Sequence, residues 1–195
     1  MILLSAVLAG TLTGWGHAWW TGRAWRPPMF RAIWLVFLGF VPQFAAFYLP
    51  STRHLLQDEF ASFSLILSQL ALAGFALVNI RLPGMPVLLA GLGLNLAVIL
   101  ANGGWMPLTL EAASKLVDPS ILKELQIGER ISNASKDVLL PEAGIVLPWL
   151  ADRFVPPSFF PYRFAFSPGD VLIATGAFWM LVFDRSVPVH VSGDA

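Results

Sequence analysis

The chain has 195 residues, of which 56% are hydrophobic and 12% charged, with zero formal net charge and no cysteine. Soluble domains carry about 25% charged residues, and one core of this size could not hide so much apolar surface from water, so the composition predicts hydrocarbon as the main solvent. Zero net charge supplies no field to attract nucleic acid, and the missing cysteines exclude disulfides, thiol catalysis and cysteine-ligated metals.

Five stretches are apolar enough to cross a bilayer. They are Ile2 to about Thr13, extending toward Trp20, then Phe30–Leu49, Ser62–Ile80, Pro86–Asn102 and Pro168–Phe183. A span needs about 17–25 residues. The second and third fit; the fourth and fifth sit at or just below the lower limit, so they should stand upright or thin the bilayer. No Lys or Arg precedes Arg23, and no small-residue cleavage site is evident. The first stretch therefore reads as an uncleaved span rather than a signal peptide. Arg23, Arg26 and Arg31, then Arg81, then Arg185 fall in connections on one side, against Arg53 on the other. The positive-inside rule then places the N-terminus outside and the C-terminus in the cytoplasm. Trp15, Trp19, Trp20 and Trp25 read as a belt on the cytoplasmic side.

Residues 103–167 form the only sizeable polar insertion. A short helix is expected within 108–117, and a second within 118–128, where Asp118 caps, Pro119 opens and Gly128 stops it. The later "PPSFFPYRFAF" is broken by proline. Its Phe159, Phe160, Tyr162, Phe164 and Phe166 suggest an aromatic strip at the membrane surface. Both ends of the insertion carry helix punctuation. Asn102, Gly103 and Gly104 accept the left-handed backbone of a helix end, and Pro107 blocks renewal. In "SPGD", Ser167 caps, Pro168 takes the first helical position, and Asp170 completes a capping box and faces the positive helix end. Stop and restart should therefore lie on one face of the membrane.

The set "ANGGWMP", "LADRF" at 150–154 and "FSPGDVLIATG" at 166–176, after an apolar helix, resembles a family of small bacterial integral membrane proteins. It is catalogued as domain of unknown function five-three-one-seven. The resemblance covers nearly the whole chain and implies a multi-span bacterial membrane protein. It implies no activity and no catalytic residues. Trp105 stands where the family is expected to carry a basic residue.

Small and polar residues recur at helical spacing. They are Ala6, Gly10, Thr13 and His17; Ser64, Ser68 and Ala71, beside Gln69, Ala73 and Ala76; Gly91, Asn95, Val98 and Asn102; and Asp170, Ala174 and Ala177. Such stripes favour close helix packing with hydrogen bonds across the contact. Gln43, next to Pro42, should satisfy a freed carbonyl or line a cavity. No ionisable residue lies mid-span, which weighs against an ion-coupled transporter. His17, His54 and His190 are too scattered for a shared metal site. "NAS" at 133–135 fits a glycosylation acceptor. Glu129-Arg130 and Asp152-Arg153 read as solvated charges. Glu111, Glu142, Asp152 and Asp170 are the acid–base candidates if geometry unites them.

The expectation is an all-α, polytopic helical membrane protein of about five transmembrane helices, a single membrane domain over 1–195 with an extracytoplasmic insertion over 103–167. It should sit in the bacterial cell membrane. The first functional reading is a non-catalytic accessory or interaction subunit of a membrane assembly. The second is a binder or carrier of a lipid or quinone-like molecule, using a cleft between spans three to five beneath the insertion. An extracytoplasmic enzyme is third. Candidate ligand-binding residues are Gln69, Asn95, Asn102, Gly103, Gly104, Met106, Asp152 and Asp170. No cofactor, metal or nucleic acid is expected. The expected partners are membrane lipids and other membrane subunits.

Overall fold

Runs rich in leucine and alanine form helix readily, and Pro86, Pro119 and Pro168 stand in the first turns of helices, where the missing N–H costs nothing. The computed structural model describes residues 2–49, 57–132, 134–157, 160, 162–183 and 187–188. Seven α-helices form among them: α1 (Ile2–Trp20), α2 (Trp34–Phe47), α3 (Asp58–Val78), α4 (Met85–Ala101), α5 (Leu110–Leu116), α6 (Pro119–Glu124) and α7 (Pro168–Val182). Arg53, His54, Asn133, Phe159, Arg185 and His190 lie outside the described residues.

The sequence reading of five span-length helices is too generous. Among the described residues only α3, with 21 residues, is both long and apolar enough to cross a membrane. The helices α2, α4 and α7 are apolar but have 14, 17 and 15 residues. The expected span over 30–49 begins late, and a contact from a distant part of the chain explains why. Ala32 adopts a left-handed backbone with φ 51°. The residue before it is tied sideways: Arg31 N–H donates to Asn79 Oδ1 and Asn79 Nδ2 to the Arg31 carbonyl, both at 2.8 Å. A chain held this way cannot continue a helix into α2.

The five longer helices pack in the order α2, α3, α4, α7, α1. Where α4 crosses α7 the contact is backbone against backbone. A Cβ on Gly91 would lie 2.5 Å from the Gly169 carbonyl, and one on Gly176 would lie 2.6 Å from the Gly84 carbonyl. The pairings Gly84–Gly176 and Gly91–Gly169 make these helices antiparallel neighbours. Gly10 of α1 meets Phe178, and Gly14 meets Leu181, so α1 runs parallel to α7. Helices associate this closely only where small residues let their backbones approach. Meanwhile large apolar side chains stay exposed along the outer faces, among them Leu8, Leu12, Phe37, Val41, Phe63 and Leu77, each at least 56% exposed.

The 103–167 insertion has its own small core of Leu108, Ala112, Ala113 and Leu139. Its centre is a parallel pair of strands, β2 (Met106–Leu108) and β3 (Asp137–Leu139), the short β1 (Arg23–Ala24) lying just after α1, and Asp152 bridges to Leu108 beside the pair. The expected helices appear as α5 and α6, the second ending four residues before Gly128. Thr109 caps α5 by accepting from the Ala112 amide, whereas Asp118, expected to cap α6, makes no side-chain cap bond, and Pro119 with its preset φ opens that helix instead.

Two side chains fasten the insertion to the helices. Arg130, read above as solvated, is almost wholly buried. Its guanidinium lies 5.5 Å from the Phe47 ring centroid and 5.1 Å from that of Trp105, and it pairs with Asp58 at 2.8 Å. Flat guanidinium suits aromatic faces while its edge still reaches a carboxylate. Asn102 ends α4 and clasps the insertion: its Nδ2 donates to the Val146 carbonyl and the Val146 N–H donates to its Oδ1, both at 2.9 Å. Replacing Asn102 with alanine should cost about 1 kcal/mol, the usual net worth of such bonds, and speed hydrogen exchange at the Val146 amide. Unchanged exchange there would contradict the clasp.

Candidate functional site

Asp152, also read as solvated, is fully buried. The ladder explains it: Asp152 N–H donates to the Pro107 carbonyl at 3.3 Å, which brings the residue beside β2. Lys136, just before β3, reaches across to Asp152 Oδ2 and also donates to Asp137 Oδ1 at 3.0 Å. The Lys136 side chain keeps a third of its surface. It lines a groove, so this exposure is to the groove. The other Asp152 oxygen, Oδ1, is buried with no hydrogen-bond partner.

A second network joins this cluster from α7. Ser167 Oγ donates to Asn95 Oδ1 at 2.8 Å, and Asn95 Nδ2 donates to Asp170 Oδ1 at 2.8 Å. Ser167 and Asp170 complete the reciprocal capping box, with Asp170 N–H to Ser167 Oγ at 3.0 Å and Ser167 N–H to Asp170 Oδ2 at 3.2 Å. Asn95 on α4 thus fixes the orientation of Asp170 at the start of α7.

Three carboxylates, Asp137, Asp152 and Asp170, therefore surround one ammonium. Burial disfavours the Lys136 charge, but Asp137, Asp152 and Asp170 more than offset this and hold its pKa above the ordinary lysine range. Burial, and after it repulsion from Asp137 and Asp170, pushes the Asp152 carboxyl well above its ordinary range, with Lys136 opposing. The two directions agree. Negative charge exceeds positive among these four side chains, and Asp152 is the fully buried one.

The groove has a volume of about 460 Å³. Ile2 and Leu3 of α1, and Phe47 with Tyr48 at the end of α2, line it from the helix ends. The insertion contributes polar side chains, Ser132, Ser135, Lys136, Asp137 and Arg163, beside apolar ones, among them Leu116, Ile131, Phe164 and Phe166, and Asp170 of α7 lines it as well. Gln43 lines it too and accepts from Ser68 Oγ at 3.0 Å.

The structure brings together Asn95, Asp152 and Asp170 among the sequence candidates and places the rest elsewhere. Met106 is buried beside Phe47 in the core under the insertion. Asn102 holds Val146, Gly103 faces open space, and Gly104 packs on Ser62, whose Oγ donates to its carbonyl at 3.0 Å. Gln69 has a buried, unpartnered Oε1 away from the groove lining. Of the four acid–base candidates, Glu111 pairs with Lys115 on an exposed face and Glu142 is exposed, so neither joins Asp152 and Asp170. The cleft expected between spans three to five is instead filled by the α4–α7 glycine contact, and the groove opens between α1, α2 and the insertion. Lys136 and Arg163 were missed. Their only sequence signal is that they are basic residues inside a long insertion, where charge is commonplace.

The fold is thus that of a mostly helical protein with one span-length apolar helix, shorter apolar helices seamed to it, and an insertion that buries an acid–lysine cluster. The chain belongs to a family of unknown function, DUF5317, whose pattern matches residues 28–182. No curated protein and no solved structure matches the chain.

Proposed function

We propose that the protein is a multi-pass protein of the bacterial cell membrane that binds an amphiphilic small molecule, a lipid or a quinone-like compound, in the groove beneath the insertion. The observation that carries this reading is a groove lined both by apolar side chains, among them Ile2, Leu3 and Phe47 at the helix ends, and by the polar groups Ser132, Lys136 and Arg163 of the insertion. Such a site takes a molecule with one wet end and one greasy end. The tail would lie against Ile2, Leu3 and Phe47, and the head against the Lys136 cluster.

Two further features support the membrane setting. Large apolar side chains cover the outer faces of the long helices, and soluble monomers rarely expose so much. The packing of the helices also sets residues 103–167 at one end and Arg23, Arg26, Arg31 and Arg81 at the other. With the positive-inside rule, the insertion faces outward and the arginine end faces the cytoplasm. The shorter helices would be accommodated by local thinning of the bilayer.

The accessory-subunit reading draws support from α2, where Phe37, Phe40 and Phe44 stand exposed in a row suited to another protein's helix. One experiment separates the two. The full chain is purified in mild detergent and examined by native mass spectrometry. An amphiphile that stays bound, and is lost in Ser132→Trp, supports the groove reading; Ser132 is exposed and lines the groove, so the substitution fills it without touching the core. A stoichiometric partner protein on a chain with an empty groove would favour the accessory role instead.

A further inference from the structure

A second pocket, of about 730 Å³, lies at the far end of the helices, between residues 29–31 and 77–82. Arg31 and Arg81 supply its polar groups, and Met29, Leu77 and Val78 are exposed apolar residues along it. Neither guanidinium forms an ion pair among the described residues. No acidic residue occurs in 14–36, 75–90 or 176–183, the described stretches that make up this end.

The two arginines are not placed by chance contacts on a loose loop. Asn79, 4% exposed, holds Arg31 by both its N–H and its carbonyl, and anchors itself through Nδ2 to the Phe75 carbonyl at 2.9 Å. The Phe30 ring packs on Phe75 with centroids 5.4 Å apart. Arg81 follows Asn79 by two residues on the same turn. The result is two exposed cations on a held turn, with no acid in the described stretches at this end, above apolar side chains that continue down α3.

We propose that this pocket binds the headgroup of an anionic phospholipid, with the phosphate between Arg31 and Arg81 and the acyl chains along Leu77 and Val78. Guanidinium matches phosphate geometry with paired hydrogen bonds. Basic pockets between helices at the cytoplasmic surface attract anionic lipid heads for the same reason. Free phosphate would satisfy the arginines but leave the apolar side uncovered. The inference rests on the membrane setting proposed above and is independent of what fills the groove.

The test uses the full chain in nanodiscs of equal phosphatidylglycerol and phosphatidylcholine, released for native mass spectrometry. The expected result is selective retention of phosphatidylglycerol. Arg31→Gln and Arg81→Gln should each weaken it about fivefold, and the double variant about thirtyfold. Lys123→Gln, on the exposed face of α6 at the other end, should leave it unchanged, and Ser132→Trp should remove the groove ligand while the anionic lipid stays. Should the double variant fail to fold, Arg81→Gln alone carries the test. Equal retention of phosphatidylcholine, or full phosphatidylglycerol retention by a folded Arg81→Gln variant, would overturn the proposal. So would displacement of the lipid by millimolar inorganic phosphate.

Discussion

Gly176→Val should cost about 3 kcal/mol or more and sharply lower the yield of folded protein from detergent. The new side chain has nowhere to go. Its Cβ would meet the Gly84 carbonyl and the Leu88 amide nitrogen, each at 2.6 Å. Both are backbone atoms, so relief requires α4 and α7 to separate, which is overpacking of the severe kind. Separation would also break the second contact of the seam, Gly91 against Gly169, and with it the Asn95–Ser167–Asp170 network. Gly93, on the same helix, has nothing within 4 Å of an added Cβ. Gly93→Ala should be neutral or slightly stabilising, since alanine favours helix over glycine by about 1 kcal/mol. Chemical or thermal unfolding of the three proteins in one detergent checks this. Similar losses for both variants would refute the backbone seam.

Lys136→Met should cost about 3 kcal/mol, because it strands Asp152 in the interior without its counter-ion. Lys136 itself retains a third of its surface, which keeps the cost at the low end of the range for buried pairs. The pH dependence has a definite sign. The folded pKa of Asp152 lies above its ordinary value of 3.8. Its contribution to stability is therefore full below that value and is lost as pH rises through the raised one. Lys136 is also raised, above 10.5, so its contribution is kept below that value and lost only at higher pH. Removing Lys136 raises Asp152 further, so the deficit of Lys136→Met should be larger at pH 8 than at pH 5. The double variant with Asp152→Leu should recover most of the loss, since an apolar pair often replaces a buried ion pair at no cost. Unfolding curves at the two pH values decide the matter. A deficit that shrinks with rising pH, or no recovery in the double variant, would show that the pair is not buried charge.

What the sequence revealed is what short-range chemistry encodes. The Ser167-Pro168-Gly169-Asp170 restart and the Asn102-Gly103-Gly104 stop both depend on a few neighbouring residues, and both occur in the structure where the chain predicts them. Helix termini were legible to within a few residues for the same reason. The exception, the late start of α2, comes from Asn79, whose partner Arg31 is 48 positions away. Length counting in the sequence already marked the fourth and fifth stretches as short, and α4 and α7 have 17 and 15 residues; what it did not show is that α2 keeps only 14.

The site was half legible. Asn95 and Asp170 announced themselves as polar groups on an apolar helix and at a cap. Asp152 was singled out but read as solvated, because nothing nearby in sequence tells that the strand pair β2–β3 will draw it inward. Lys136 is 16 residues from Asp152 and joins it only through that ladder. Arg130 misled for the same reason: beside a local bond to the Ser135 carbonyl, it packs on Phe47 and Trp105 and pairs with Asp58, all distant in sequence.

The natural lack of cysteine allows one direct measurement on living cells. Single cysteines at Glu142 and Arg26, exposed residues at opposite ends of the helices, are challenged with a membrane-impermeant maleimide. A bundle crossing the bilayer with its insertion outward should label at 142 in intact cells and at 26 only after lysis. Labelling of both positions from outside, or recovery of the chain in the soluble fraction without detergent, would contradict it.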